Sequence, residues 1–159
     1  MIQTFFKKRG GFTFTELMIV IAIMTVLLTV VFFNFKTVGS KQNLDKTTLT
    51  IFSVLNEAKS NSISSKDFSD HGVHLETNQI TSFKGSTFTV GAPGNQVFTL
   101  LTNATISNIS IGGSQDVVFR NVTGLTSASG TITISLTNDT TRHDVINIFS
   151  SGTMQITHF

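Results

Sequence analysis

A single carboxylate, Glu16, stands at the head of an apolar run that carries no charge from Leu17 to Phe33. An acid in a hydrocarbon span is rare and usually functional, because lipid cannot solvate its charge and it needs a partner. Just before it come a basic cluster, Lys7, Lys8 and Arg9, and a diglycine, Gly10-Gly11. Two glycines make a flexible, unencumbered backbone that a protease can hold extended, so cleavage after Gly11 is one chemistry this string allows.

The other residues able to do chemistry are scattered. His71 and His74 are three apart, His143 precedes Asp144, and His158 lies at the tail, with no cysteine in the chain. A zinc site needs three or four convergent ligands, and these spacings supply no recognisable set. The histidines read as loop or strand-end residues in water. Asp67, Asp70 and Glu76 lack the dense oxygen spacing of a calcium loop. Serines abound, yet neither a nucleophile elbow nor a G-x-x-x-x-G-K-[ST] loop occurs. The expectation is a protein that is not an enzyme and has no metal or cofactor.

What must position Glu16 is a membrane helix. Thr25 and Thr29 are the only polar interruptions of the apolar run, and each can return its hydroxyl to a carbonyl one turn back. From Phe12 to Phe35, about 24 residues at about 1.5 Å each reach about 36 Å, enough for a hydrocarbon core of about 30 Å. The basic residues before it keep the N-terminus cytoplasmic and send the remainder outward. A secretory signal has a shorter apolar core and a small-residue cleavage site after it, which Phe32-Phe33-Asn34-Phe35 does not offer. A plain anchor explains the length but not Glu16.

Gly11-Phe12-Thr13-Phe14-Thr15-Glu16-Leu17 resembles the class III signal of type IV prepilins and pseudopilins. The resemblance implies cutting after Gly11 by a membrane-embedded prepilin peptidase, and N-methylation of Phe12 by the same enzyme. It also implies pairing of Glu16 with the terminal amine of a neighbouring subunit during assembly. The physics agrees, since an ammonium and a carboxylate on adjacent helices relieve a desolvation that neither tolerates alone. Two positions depart from the family: Thr15 replaces a common aliphatic residue, and Phe33-Asn34-Phe35 stands where a proline is usual.

The expected organisation is a leader over 1–11, a membrane or filament-core helix over 12–35, an amphipathic helix over 36–66 and a β-rich head over 67–159. Leu44, Ile51, Leu55 and Ala58 recur at helical spacing among Lys41, Asp45, Lys46, Glu57 and Lys59. Gly39-Ser40 is a plausible weak point in that helix. Beyond Asp67 short alternating segments predict strands near Val73–Thr77, Ile80–Lys84, Thr87–Val90, Val97–Leu101, Thr105–Ile111, Val117–Arg120, Thr131–Leu136, Val145–Phe149 and Met154–Thr157. The fold class is therefore α+β, a long N-terminal helix followed by an antiparallel two-sheet head, pilin-like.

Charge narrows the partners. The sequence pI is about 9.2, but Lys7, Lys8 and Arg9 are three of eleven basic residues. Their removal leaves eight against nine acids, formally −1. A neutral head has no general pull on nucleic acid. Without cysteine no disulfide staples the exported part. Four Asn-x-Ser/Thr triplets, at Asn103, Asn108, Asn121 and Asn138, are what chance supplies in a chain this rich in Asn, Ser and Thr.

The head adds to the resemblance. Leu55-Asn56-Glu57-Ala58-Lys59, Gly72-Val73-His74-Leu75, Val117-Val118-Phe119-Arg120 and the late Ser151-Gly152-Thr153-Met154-Gln155-Ile156 are similar to stretches of the GspH/FimT group of minor pseudopilins and minor pilins. This implies a minor structural subunit of a type II secretion pseudopilus or type IV pilus. Its partners would be prepilin peptidase, other pilin or pseudopilin subunits, inner-membrane assembly proteins, and membrane lipid before assembly. Its place would be the inner membrane as a single-pass protein, then a filament in the periplasm or at the cell surface. Two alternatives stand beside it. One is a DNA-binding minor pilin for transformation, disfavoured by a tail from Ser151 to Phe159 without arginine. The other is an anchored β-domain that never polymerises, which leaves Glu16 and the cleavage signal without a role.

Overall fold

The computed structural model describes residues 11–126 and 128–159, and for residues 32–38 the backbone only. The leader cluster Lys7, Lys8 and Arg9, and the side chains of Phe33-Asn34-Phe35, lie outside what it describes. One helix, α1, spans Phe14–Ile63 and runs through Gly39 and Ser40, the expected weak point. Eight strands follow: β1 His71–Leu75, β2 Gln79–Lys84, β3 Gln96–Thr99, β4 Ala104–Ile111, β5 Asp116–Phe119, β6 Gly130–Leu136, β7 Asp139–Ile148 and β8 Met154–His158. Among the described residues, those up to Val38 and those from Gly39 onward form two separate compact units.

In the first unit every described residue from Gly11 to Val31 is exposed. Phe14–Val31 is long and apolar enough to cross a membrane. The Thr25 hydroxyl donates to the Ile21 carbonyl and the Thr29 hydroxyl to the Thr25 carbonyl, both at 2.8 Å. No side-chain polar group of those threonines is left for lipid to solvate.

In the second unit the predicted stripe of α1 is buried: Leu44, Ile51, Leu55 and Ala58 are all within 3 % exposure. They pack into one core with Val73, Leu75 and Ile80 of the first sheet and Ile132, Ile134 and Ile146 of the second. Each Leu, Ile or Val among them contributes about 1.5–3 kcal/mol of transfer free energy. The sheets are antiparallel, four strands each, ordered β3-β2-β1-β5 and β4-β6-β7-β8. Helix and sheets thus cover one another's apolar faces, the α+β arrangement expected.

Alternation in β6 sends Ile132 and Ile134 inward and Thr131 and Thr133 outward, while Ser135 is buried. Register carries the alternate positions across the sheet in three rows. Ser110, Thr131, Asn147 and Gln155 form one; Asn108, Thr133, Val145 and Thr157 form the next; Thr105, Ser135 and His143 form the third. Gly130 lies tight against β4: a Cβ there would sit 1.9 Å from the Ser110 carbonyl oxygen.

Three expectations need correction. Thr87–Val90 is not a strand. It belongs to the loop between β2 and β3, whose Phe88 ring stacks on His74 instead of entering a ladder; β3 already occupies the free side of β2. β7 begins at Asp139, six residues before the alternation of Val145 onward, because pairing with β6 continues through polar residues that show no apolar period. And α1 ends at Ile63, short of 66. Ser65 adopts the left-handed conformation (φ 54°) and opens a single 3-10 turn, Lys66–Phe68.

Candidate functional site

The peptide between Gly11 and Phe12 precedes the first helical residue, Phe14. Nothing lies within 4 Å of a Cβ built on Gly11, and Phe12 is 87 % exposed. This bond is uncovered and unpaired to secondary structure, which is what a protease needs in order to extend it. Immediately behind it the helix opens with reciprocal hydrogen bonds. The Glu16 backbone N–H donates to Thr13 Oγ1 at 3.2 Å, and the Thr13 N–H donates to Glu16 Oε2 at 3.5 Å. Thr-x-x-Glu is a capping box: two of the orphan donors of the first turn are satisfied by side chains of the same turn. The positive end of the helix dipole favours the carboxylate there as well.

Glu16 therefore has a partner within its own chain. It caps its own helix through Thr13. The signal that reveals this, Thr followed three residues later by Glu ahead of an apolar run, is local and was legible. The structure thus brings Gly11, Phe12, Thr13 and Glu16 together at one exposed helix start, with apolar side chains following.

Of the head histidines His71 and His74 are covered rather than solvated, whereas His158 is the exposed strand-end residue expected. His71 is buried; its Nε2 pairs with the Lys66 carbonyl at 3.0 Å, and its backbone N–H donates to Ser62 Oγ at 3.0 Å. His74 pairs through Nδ1 with Asp116, lies 3.5 Å from Glu76 through Nε2, and stacks on Phe88 at 4.0 Å. His143 stacks on Phe159 at 5.0 Å. His158 Nδ1 meets Asp144 Oδ1 at 2.8 Å, and the other oxygen of that buried carboxylate accepts the Thr48 hydroxyl at 2.8 Å.

Asp144, on β7, thus ties α1 to β8. Asp45, Asp144 and His158 each place one potential ligand atom within 4.8 Å of the others, a grouping that the sequence spacing did not show. Both Asp144 oxygens are engaged by Thr48 and His158, which explains the grouping as a polar tie between elements. The acids weighed as calcium ligands hold loops instead. Asp67 lies 3.8 Å from Lys84, Asp70 accepts the Asn121 N–H at 2.7 Å, and Glu76 accepts from Gln79 at 2.6 Å. At the start of β7 the Thr141 hydroxyl donates to Asp139, which holds that carboxyl below its ordinary value.

Residues 6–32 match the prokaryotic N-terminal methylation motif, a stretch that contains Lys7, Lys8, Arg9, Gly11, Phe12 and Glu16. Among solved structures the chain is similar to the type IV minor pilin FimU of Pseudomonas aeruginosa (strain PAO1), with a TM-score of 0.57. The two share 15 % identity over 72 % of this chain and 92 % of that one, a likeness of fold. No curated protein matches the sequence.

Proposed function

We propose that this chain, a type IV pilin-like protein by its methylation motif and its fold, is a minor pilin or pseudopilin that enters a filament through α1. The observation that carries the reading is the coincidence of the methylation motif with an uncovered Gly11–Phe12 bond and a capped apolar helix directly after it. Prepilin peptidase adds water across that bond, leaving the Gly11 carboxylate on the leader and an ammonium on Phe12, which is then N-methylated. Lys7, Lys8 and Arg9 hold the leader at the cytoplasmic face until then.

Glu16 serves two partners in this reading. In the membrane-resident subunit it caps its own helix. In the filament it faces the Phe12 ammonium of a neighbour, where removal of water strengthens the pair. The apolar face from Leu17 to Val31 exchanges lipid for neighbouring helices. The head does no chemistry and needs no cofactor. Assignment to the GspH/FimT group, and to a secretion pseudopilus or a pilus, belongs to the same proposal. DNA uptake is the weaker role: Arg142, the arginine nearest the tail, is engaged 3.5 Å from Asp139.

The test is intact-mass and N-terminal analysis of the protein from membranes with and without prepilin peptidase. A chain that begins at N-methylated Phe12 only when the peptidase is present supports the reading. A chain that begins at Met1 in both overturns it and leaves a membrane-anchored β-domain.

A further inference from the structure

The assembly reading leaves one end of the head without a role, the end where α1 stops at Ile63. About 36 Å of helix separates it from Gly39, where the second unit begins. We propose that this end docks on the surface of an anionic phospholipid bilayer, with apolar loop tips among the acyl chains and basic side chains at the phosphates. The inference does not rest on polymerisation, since every residue it uses belongs to the second unit.

The loop before β1, the β5–β6 loop and the β7–β8 turn meet on the last turn of α1. The Val122 N–H donates to the Ser62 carbonyl at 2.9 Å, and the Asn121 N–H donates to Asp70 at 2.7 Å. A Cβ on Gly124 would lie 2.6 Å from Ile63 Cγ1, and one on Gly152 would lie 2.1 Å from the Gly124 carbonyl oxygen. Apolar side chains stand in solvent at this junction: Phe68 is 92 % exposed, Val122 65 %, and Ile63, Leu125 and Phe149 are half-exposed. The backbone holds two of them under strain. Among the described residues, the non-glycine positions with positive φ are Ser65, Asp67, Phe68 and Val122, all in the first two of these loops. A branched or bulky residue is strained in the left-handed region, and such strain persists where its surroundings enforce it, most often at ligand contacts. Val122 (φ 66°) and Phe68 (φ 51°) gain no burial in the head to offset it.

Charge at this end selects lipid. Lys59, Lys66, Lys84 and Arg120 lie on these elements against two acids, Asp67 and Asp70, a balance of +2. The rest of the second unit has three basic residues, Lys41, Lys46 and Arg142, against six acids, a balance of −3. Of the four basic residues Lys84 pairs with an acid, Asp67 at 3.8 Å, and the Asp70 carboxylate is engaged by the Asn121 N–H. Apolar and basic side chains lie among one another here. That mixture suits an interface in which depth separates acyl chains from phosphates, because lysine and arginine stems reach headgroups while short apolar tips go deeper. A protein partner is a poorer match, since interface cores are depleted of lysine. Single-stranded nucleic acid stacks on aromatic platforms, whereas Ile63, Val122 and Leu125 are aliphatic.

The experiment places the full chain in nanodiscs of phosphatidylcholine, so that its apolar helix is already housed, and adds sucrose-loaded vesicles. Vesicles containing phosphatidylglycerol should sediment the nanodiscs, and vesicles of phosphatidylcholine alone should do so about tenfold less. The chain has no tryptophan, so Phe68→Trp is a unique reporter, whose fluorescence brominated acyl chains in the vesicles should quench. Phe68→Ser, with an unchanged melting temperature, should weaken sedimentation about tenfold, equivalent to about 1.4 kcal/mol. Val122→Gly relieves the left-handed strain, so it should hold or raise the melting temperature and still weaken sedimentation, a pairing that a merely structural role does not produce. Val97→Ser on β3, at a residue 58 % exposed, should leave sedimentation unchanged. Sedimentation no greater than that of empty nanodiscs overturns the proposal. So do wild-type sedimentation of both the Phe68→Ser and Val122→Gly variants, a reporter that the bromines do not quench, or nanodiscs that pair with one another or with a single-stranded oligonucleotide instead of with vesicles.

Discussion

Between Phe14 and Val31 every side chain of α1 is exposed, although nearly all are apolar. Between Leu44 and Ser62 the same helix carries lysines, acids and asparagines, yet Ile51, Leu55, Ala58 and Ser62 have no exposure at all. The more apolar stretch is the uncovered one. Coverage is thus set by what the chain can fold against itself, not by hydrophobicity. The later stretch offers one stripe, and two sheets close over it. The earlier stretch is apolar all round, so its covering must come from lipid or from other helices.

The largest expected effect breaks this comparison at the first stretch. Glu16→Ala should keep membrane retention and drop filament incorporation to background, read by sheared-filament immunoblot. The substitution keeps the Thr13 hydroxyl on the first turn and removes only its reciprocal half, which a span anchored by its apolar residues withstands. Wild-type incorporation of that variant would show that the carboxylate has no role beyond the cap.

Next, Leu55→Ala should destabilise the head by about 2–5 kcal/mol, because a fully buried Leu leaves a cavity among rigid neighbours. Leu27→Ala, at an exposed site, should leave the melting curve of the head where it was. Equal shifts from the two would mean that the stretches share a core after all. A smaller loss is expected for Asp144→Asn. The amide still faces Thr48 and His158 but forfeits charge assistance, so about 1–3 kcal/mol should disappear in urea unfolding.

The smallest effect concerns Asp139, which is solvent-exposed. Its folded-state carboxyl titrates below the ordinary value of 3.8, first through the Thr141 side-chain hydrogen bond, with Arg142 adding to the same direction. A depressed folded value means that the stabilisation is present above the ordinary value. It is lost as pH falls through that value toward the lower one. An NMR titration of Asp139 should move back up in Thr141→Val, and a titration unchanged by that substitution would remove the hydroxyl as the cause.

Legibility followed sequence distance. Gly11, Phe12 and Glu16 fall within six consecutive residues, so the motif they belong to could be read directly, and so could the Leu44–Ala58 stripe. The pairing of Thr13 with Glu16 is equally local, since Thr-x-x-Glu ahead of an apolar run is itself a helix-start pattern. The strand expected at Thr87–Val90 is absent. Its residues suit a strand, but β2 had no free side to accept one. Availability of a partner edge is not a property of the segment.

The amino-acid sequence by itself determined the N-terminal methylation motif, the apolar span, the amphipathic stripe and the existence of a β-rich head, because each rests on spacing within a few turns or strands. Only the tertiary structure decided that Thr48, Asp144 and His158 meet across 96 and 14 residues of chain. It also decided that Phe88 stacks on His74, and that threonines of separate strands line up in rows. Those relations depend on strand order and register. Such choices are made by the whole core as it closes, because shifting one strand by a single residue would turn its apolar side chains to solvent.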